Sequence, residues 1–559
     1  MPKWRLMLVS AAFVLTGCRE PSVGDESAAP AGTVVIAANA EPDALFPPLV
    51  VGLEGRQATE LIYEYLADPG PSMNTLGDSG FVKELASGWR WSRDSSSISF
   101  SIDPGARWHD SVRVTARDVV FSFGIYKDST IGSLTSEGLA DIDSVTAPDS
   151  ATAVFWFARR TPRQFYDAAA QMLILPEHIL RAVPRDSLRS FTASHTPVGS
   201  GPFRYGSWKR GSFFDLVAVD NHYRGGRGPR RIIWIVTPEY ETALTRLLGG
   251  EADVFANIRR ETIPELARGN QFNLISLPAM AYAFMSFNLH DPSNPRVPHR
   301  IFGSRDVRRA ITMSLDRGAM VQNVFDTLAF VSIGPTVRAY PTTDTSLAQI
   351  PFDRAGAERL LDSLGWKRPT AGATRSKNGI PLKFRAIVPT SSRSRRAMAQ
   401  LIQEQLRQVG VNMTIDEMDY GAFSAREKAR SFDAELGSWT LTSSPSSIKE
   451  VWTTSASAKG GLNYSGYNSA RFDALVDSAL AASTTDASKH YFKLANQVIV
   501  DDAPAVWLYE PRLVLAIHRR LRTTPMRPNS WWLDIANWKI PASERLPRDK
   551  ASGSDSSRR

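Results

Sequence analysis

The sequence predicts an α/β protein built as two lobes, each with parallel strand pairing. Three observations lead there. A chain of 559 residues exceeds what one hydrophobic core ordinarily serves. Residues 382–415 run strand, helix, strand, a β-α-β unit that implies a right-handed crossover between parallel strands. Residues 240–255 repeat part of that grammar, a helix stopped by two glycines and followed by a short strand.

The elements follow in chain order. Lys3 and Arg5 precede an apolar run, Leu6–Leu15, too short to span a bilayer but suited to the core of a secretory signal. It ends in Leu15-Thr16-Gly17-Cys18, small residues before the chain's single cysteine. Residues 19–32 are small and polar and read as a flexible tether. Thr33–Ala37 is a β-branched run, the first core strand. Between 85 and 157 short strands and turns prevail, with period-2 alternation in Ser97–Ile102. Tyr240, Ala243, Leu244, Leu247 and Leu248 share a helix face that Gly249-Gly250 ends, and Ala252–Phe255 is a strand. Leu382, Phe384, Ala386 and Val388 alternate, Met398, Leu401, Ile402, Leu406 and Val409 form a helix stripe, and Val411, Met413 and Ile415 alternate again. Two helices follow, carrying Phe472, Leu475, Val476, Ala479 and Leu480, then Leu494, Ala495, Val498 and Ile499. Ala503–Tyr509 is a strand with Pro504 at its entry, and 544–559 is expected to be a disordered tail.

Composition narrows the function. An apolar fraction of 43% with 22% charged residues excludes collagen-like, wholly disordered and multi-span membrane chains. One Cys excludes an internal disulfide framework and any multi-cysteine zinc site. The net charge of +9 favours anionic surfaces, but no basic stripe is interleaved with aromatics, so no nucleic-acid partner is expected. Phosphate-loop, His-Glu-x-x-His and Gly-x-Ser-x-Gly motifs are missing. Ser446-Ser447-Ile448-Lys449 matches Ser-x-x-Lys without its companion motifs, so a Ser446/Lys449 hydrolase is only a minor alternative. His109 reads as a histidine packed in a turn, and no histidine pair at helical spacing suggests a metal. No catalytic residue, metal or cofactor is expected, and the protein is not read as an enzyme.

One set of segments carries a family likeness. Leu85-Ala86-Ser87-Gly88-Trp89, Trp91–Asp94, Phe100–Asp110 and Thr115–Ser122 are followed in order by Pro197–Phe203, Gly250–Val254, Phe287-Asn288, Asp306–Ile311 with Asp316-Arg317, Phe352 to Trp366, Phe432–Ala434 and Ala503-Pro504. Together they span roughly residues 80–510, and this resembles the bacterial extracellular solute-binding proteins of family 5, the dipeptide-, oligopeptide- and nickel-binding components of ABC importers. The segment ending at Cys18 is similar to a bacterial lipobox, which implies lipidation of Cys18 and a membrane-anchored lipoprotein outside the cytoplasm. Arg19, next to it, does not resemble the Asp that favours inner-membrane retention.

The resemblance implies a type II periplasmic-binding-protein fold: two lobes joined by two hinge crossings, with an extra N-terminal subdomain. Lobe I is expected at 33–283 plus 508–543, with the inserted subdomain at about 46–195, and lobe II at 284–507. Phe284–Asn288 and Val506–Leu508 would lie near the hinge. Asp118 reads as a helix N-terminal charge, Gly105, Gly199 and Gly201 as turn formers, and Arg308 and Arg309 as scaffold ion pairs. The implied function is capture of di- or oligopeptides by lobe closure and delivery to the membrane permease, by a monomeric receptor, with an oligosaccharide or metal chelate as the alternative ligand. Relatives hold peptide at a Gly-Trp segment followed by an Asp for the α-amine. Here Gly437-Ser438-Trp439-Thr440-Leu441-Thr442-Ser443 keeps the tryptophan, but Thr442 or Ser443 stands where the acid would be. The candidate ligand contacts are therefore Trp439, Thr440, Thr442 and Ser443, with Glu41, Asp43 and Phe46 after the first strand. Of these, Glu41 and Asp43 are the acids that could replace the missing Asp.

Overall fold

Thr33–Ala38 is buried along its whole length, as a strand covered on both faces must be. It lies parallel to Arg231–Val236 on one side and to Val254–Phe255 on the other. The computed structural model in which this is seen describes residues 31–550 apart from 227 and 459, so the predicted signal, Cys18 and most of the tether lie outside the described residues. The helix over Tyr240–Leu248 ends at Gly249 and Gly250, the latter at a φ of 76°, and feeds the strand Val254–Phe255 as its sequence predicts.

Lobe II repeats the grammar. Lys383–Pro389 and Asn412–Met418 pair in parallel through the helix Arg393–Gln408. Met398, Ile402 and Leu406 of that helix pack on Phe384, Ala386 and Val388 in one apolar core. Ala434–Thr440 joins the sheet on the other side of Lys383–Pro389 and pairs antiparallel with Ala281–Phe287.

One long strand, Ala505–His518, serves both lobes. Its first part, to Tyr509, pairs with Ala281–Phe287, and Arg512–His518 pairs with Phe272–Pro278. The sequence pattern ends the strand at Tyr509 because Pro511 interrupts it. In the structure Pro511 sits at the handover between partners, where a missing N–H breaks no central ladder. The change of strand partners thus falls between Pro278 and Ala281 on one side and between Tyr509 and Arg512 on the other.

The inserted region carries an antiparallel sheet of Ala86–Trp91, Ser97–Ile102, Thr152–Phe157 and Ile142–Thr146. Its core is continuous with that of lobe I. Asp118 closes a capping box with Thr115 on the helix Ala116–Lys127. Gly199 and Gly201 turn out not to be turn formers with positive φ. A Cβ at Gly199 would lie 1.8 Å from the Ile62 carbonyl oxygen and one at Gly201 2.4 Å from that of Leu61, so glycine is required there by close backbone approach. His109 is held in its turn between the backbone of Gly199 and Gly201.

Arg308 is buried and binds backbone rather than acids. It donates to the carbonyls of Ala503, Phe302 and Asp502, so it caps the end of the helix Thr485–Asp502. The expected tail also needs correction. Residues 544–549 are ordered against lobe I, and Pro547–Lys550 is a short helix. Asp549 accepts from Thr33 N at 2.7 Å and from Arg520 at 2.8 Å, and Arg548 reaches Asp253 at 2.7 Å. A buried arginine needs paired acceptors, and the tail supplies one.

Candidate functional site

In open parallel sheets the cleft lies beyond the carboxyl ends of the strands. Those ends are Ala38, Val236 and Phe255 in lobe I and Pro389 and Met418 in lobe II, and the lobes meet there. Asn529 Nδ2 of lobe I donates to Ser443 Oγ of lobe II at 2.7 Å. Tyr166 of lobe I lies beside the Ser443 side chain. Away from this point Arg260 donates to the Asn323 carbonyl at 2.9 Å and Arg393 reaches Glu261 at 3.4 Å. These contacts join the two lobes.

The lobe II wall has an open strand edge. Lys383–Pro389 pairs with Ala434–Thr440 only at Ala386↔Ala434 and Ile387↔Glu435. On the other side, Asn288 N donates to Asp433 O and Leu441 N to Met280 O, so the odd-numbered residues of this strand face Ala281–Phe287. Alternation leaves the N–H and C=O groups of Ser438 and Thr440 on the open side, and both residues are exposed. The edge is terminated below by Arg395, whose Nη1 donates to the Leu436 carbonyl at 3.2 Å. Trp439 stands half-buried beside it, its ring 6.1 Å from that of Tyr464. Beyond the strand, Tyr340 OH donates to the carbonyls of Thr442 at 2.7 Å and Ser444 at 3.0 Å, which fixes the loop.

The lobe I wall is aromatic and charged. Glu60 accepts from Arg56 at 2.8 Å, Tyr65 at 3.2 Å and Trp532 at 2.9 Å. Arg56 lies 5.4 Å over the Trp532 ring and keeps 42% of its side chain accessible. Burial pulls its pKa down, but Glu60 beside it outweighs that and holds it above the ordinary value. Burial raises the Tyr166 hydroxyl, which stays protonated and able to donate.

The predicted site residues therefore divide. Trp439, Thr440, Thr442 and Ser443 come together at the cleft. Of the others, Asp43 and Phe46 line a hollow of about 540 Å³ formed by lobe I residues that include His195 and Trp208. Asp43 is committed to Val51 N at 2.7 Å and Gly52 N at 2.9 Å. Glu41 accepts from Gly211 N and reaches Arg210 at 3.9 Å, and Phe46 is buried in the lobe core. Lys449 pairs with Asp477 at 2.5 Å, while Ser446 Oγ bonds Ser444 Oγ at 3.1 Å, so among the described residues the two side chains are engaged elsewhere and meet only through the Lys449 N–H on the Ser446 carbonyl. Sequence reasoning missed Arg395, Glu427, Glu435, Tyr166 and Asn529; only the acidic residue at 435, the one charge in its strand, was a visible signal.

The model for "Bacterial extracellular solute-binding proteins, family 5 Middle" matches residues 80–460. The chain belongs to this family. Its members are solute-binding receptors rather than enzymes, and the family's place of work is outside the cytoplasm. The chain is 24% identical over 485 residues to the oligopeptide-binding protein AppA of Bacillus subtilis, 86% of each chain being covered. It is 24% identical over 511 residues to the probable D,D-dipeptide-binding periplasmic protein DdpA of Escherichia coli, covering 90% of this chain and 93% of that one. Among solved structures, Bacillus subtilis AppA in complex with a nonapeptide superposes with a TM-score of 0.72 at 23% identity, covering 92% of this chain and 99% of the other. Campylobacter jejuni NikZ in complex with Ni(L-His) gives 0.73 at 22%, covering 91% and 99%. The two-lobed fold of the periplasmic binding proteins is thus the fold of this chain.

Proposed function

We propose that the protein captures short peptides between its lobes and delivers them to the membrane permease of an ABC importer. The open edge of Ala434–Thr440 carries this reading. An extended peptide lying along Ser438 and Thr440 adds a strand, so backbone bonds supply affinity and side chains are tolerated. Trp439, Thr440, Thr442 and Ser443 are the lobe II contacts, and Arg56 and Tyr166 face them from lobe I. Ligand touching both walls binds the closed form better and shifts the open–closed balance toward it. The names of the AppA and DdpA relatives support the same class of ligand. Lobe I is taken as 33–278 with 512–550, and lobe II as 281–509. Glu41 and Asp43 serve their own loop. Lipidation of Cys18 would tether a monomeric receptor to the membrane.

Native mass spectrometry of the purified protein, with a peptide-library thermal-shift screen, tests the reading. Co-purifying peptide or stabilisation by library members is expected. Stabilisation by a sugar or metal chelate with no response to peptide overturns it.

A further inference from the structure

We propose that the facing carboxyls of Glu427 and Glu435, framed by Tyr420, Tyr464 and Trp439, seat a cationic group of the ligand. This rests on the peptide reading above and names a chemical preference within it.

Glu435 is 2% exposed. Its Oε1 accepts from Ser286 Oγ at 2.7 Å, and its Oε2 is buried with no hydrogen-bond donor among the described residues. Glu427, partly buried on the helix Tyr420–Lys428, lies within hydrogen-bond reach of it. A buried pair of like charges does not ionise fully, so the two carboxyls share a proton. Burial, and for Glu435 the neighbouring Glu427, raises both above the ordinary value.

Arg395 is the cation that acts on both carboxyls. Arg395 packs 5.8 Å from the Phe423 ring and faces both carboxyls from the helix Arg393–Gln408. Lys428 acts on Glu427 from its own helix, Ser286 faces Glu435 from the neighbouring strand, and Tyr464, with Arg430 beside it, completes the shell. Arg395 also binds the Leu436 carbonyl, so the carboxyl pair lies at the foot of the open edge on which Ser438 and Thr440 would receive a peptide. Tyr464 connects the pair to Trp439, and Tyr420 is 59% exposed. Aromatic faces beside a carboxylate suit an ammonium or guanidinium.

The charge balance closes. Without ligand, two carboxyls hold one proton and one negative charge, and Arg395 opposes that charge. An entering ammonium donates an N–H to Glu435 Oε2, the shared proton leaves to solvent, and the net charge of the site is unchanged. An anionic group gains nothing there.

The test uses blocked pentaalanine peptides in which one position at a time is Lys, norleucine or Glu, plus pentaalanine with a free amine. Calorimetry with the purified protein is expected to find one cationic peptide binding at least about tenfold tighter than its norleucine counterpart, with Glu weakest. Titration in buffers of different ionisation heat should register release of up to about one proton. Glu427→Gln and Glu435→Gln, each checked for a cooperative melt, should reduce the Lys preference. Equal binding of Lys and norleucine peptides at every position, or tightest binding by Glu, overturns the cation site while leaving peptide capture intact. Failure of every peptide to bind overturns the peptide reading and the site with it.

Discussion

Two buried carboxylates, Asp253 in lobe I and Glu435 in lobe II, are 1% and 2% exposed and have opposite surroundings. Asp253 accepts from Val35 N at 2.9 Å, from Arg520 at 2.7 and 2.8 Å and from Arg548 at 2.7 Å. Glu435 has one hydroxyl donor and another acid for company. Burying a charge is tolerable when its lone pairs are filled, so Asp253 is a finished structural joint. Glu435 has fewer donors, and its burial is tolerated because the carboxyl pair keeps a proton. Asp253 binds together segments remote in the chain through charged donors, Arg520 being 267 residues away, whereas the one remote tie of Glu435 is the Ser286 hydroxyl, 149 residues away.

The largest effect that would break this contrast is at Asp253. Asp253→Ala should destabilise the protein by about 3–5 kcal/mol, because two guanidiniums lose their buried acceptor; urea unfolding measures it. A loss no greater than that of an exposed aspartate would remove the distinction. Next, Arg548→Ala should cost about 1 kcal/mol, less because Arg548 is 27% exposed and Arg520 still fills Asp253.

The smallest effect belongs to Glu435. Glu435→Gln should change ligand-free stability by less than about 1 kcal/mol at low pH, and its signature is in the pH dependence. The folded carboxyl pair binds protons more readily than the unfolded chain, so its contribution is fully present below the ordinary value of 4.5. It is lost as pH rises through the higher folded values. Burial also raises Glu510, to about 7, so the wild type should lose melting temperature with rising pH from both sources. Glu435→Gln should flatten that slope, and an unchanged slope would mean that the pair does not hold its proton.

Much of the fold was legible because its signals are local. The period-2 run Ser97–Ile102, the helix from Tyr240 to the paired glycines and the unit over 382–415 appear where their patterns put them. The site was half legible. Trp439 and its neighbours stood out through their family motif. Glu41 and Asp43 were chosen as acids near a strand end, but nothing in their local sequence told that they would be taken by Gly211, Val51 and Gly52. Glu427 and Glu435 were passed over because their meaning depends on facing each other.

By itself, then, the sequence determined the alternation of strands and helices, the two-lobed class and the absence of familiar catalytic motifs, since periodicity and capping act over a few residues. Only the tertiary structure decided where the long strand changes partners at Pro511, why Gly199 and Gly201 are glycines, that 544–549 pack, and which acids are saturated. Those facts depend on backbones and charges brought together from distant parts of the chain, and no local pattern encodes which groups will meet.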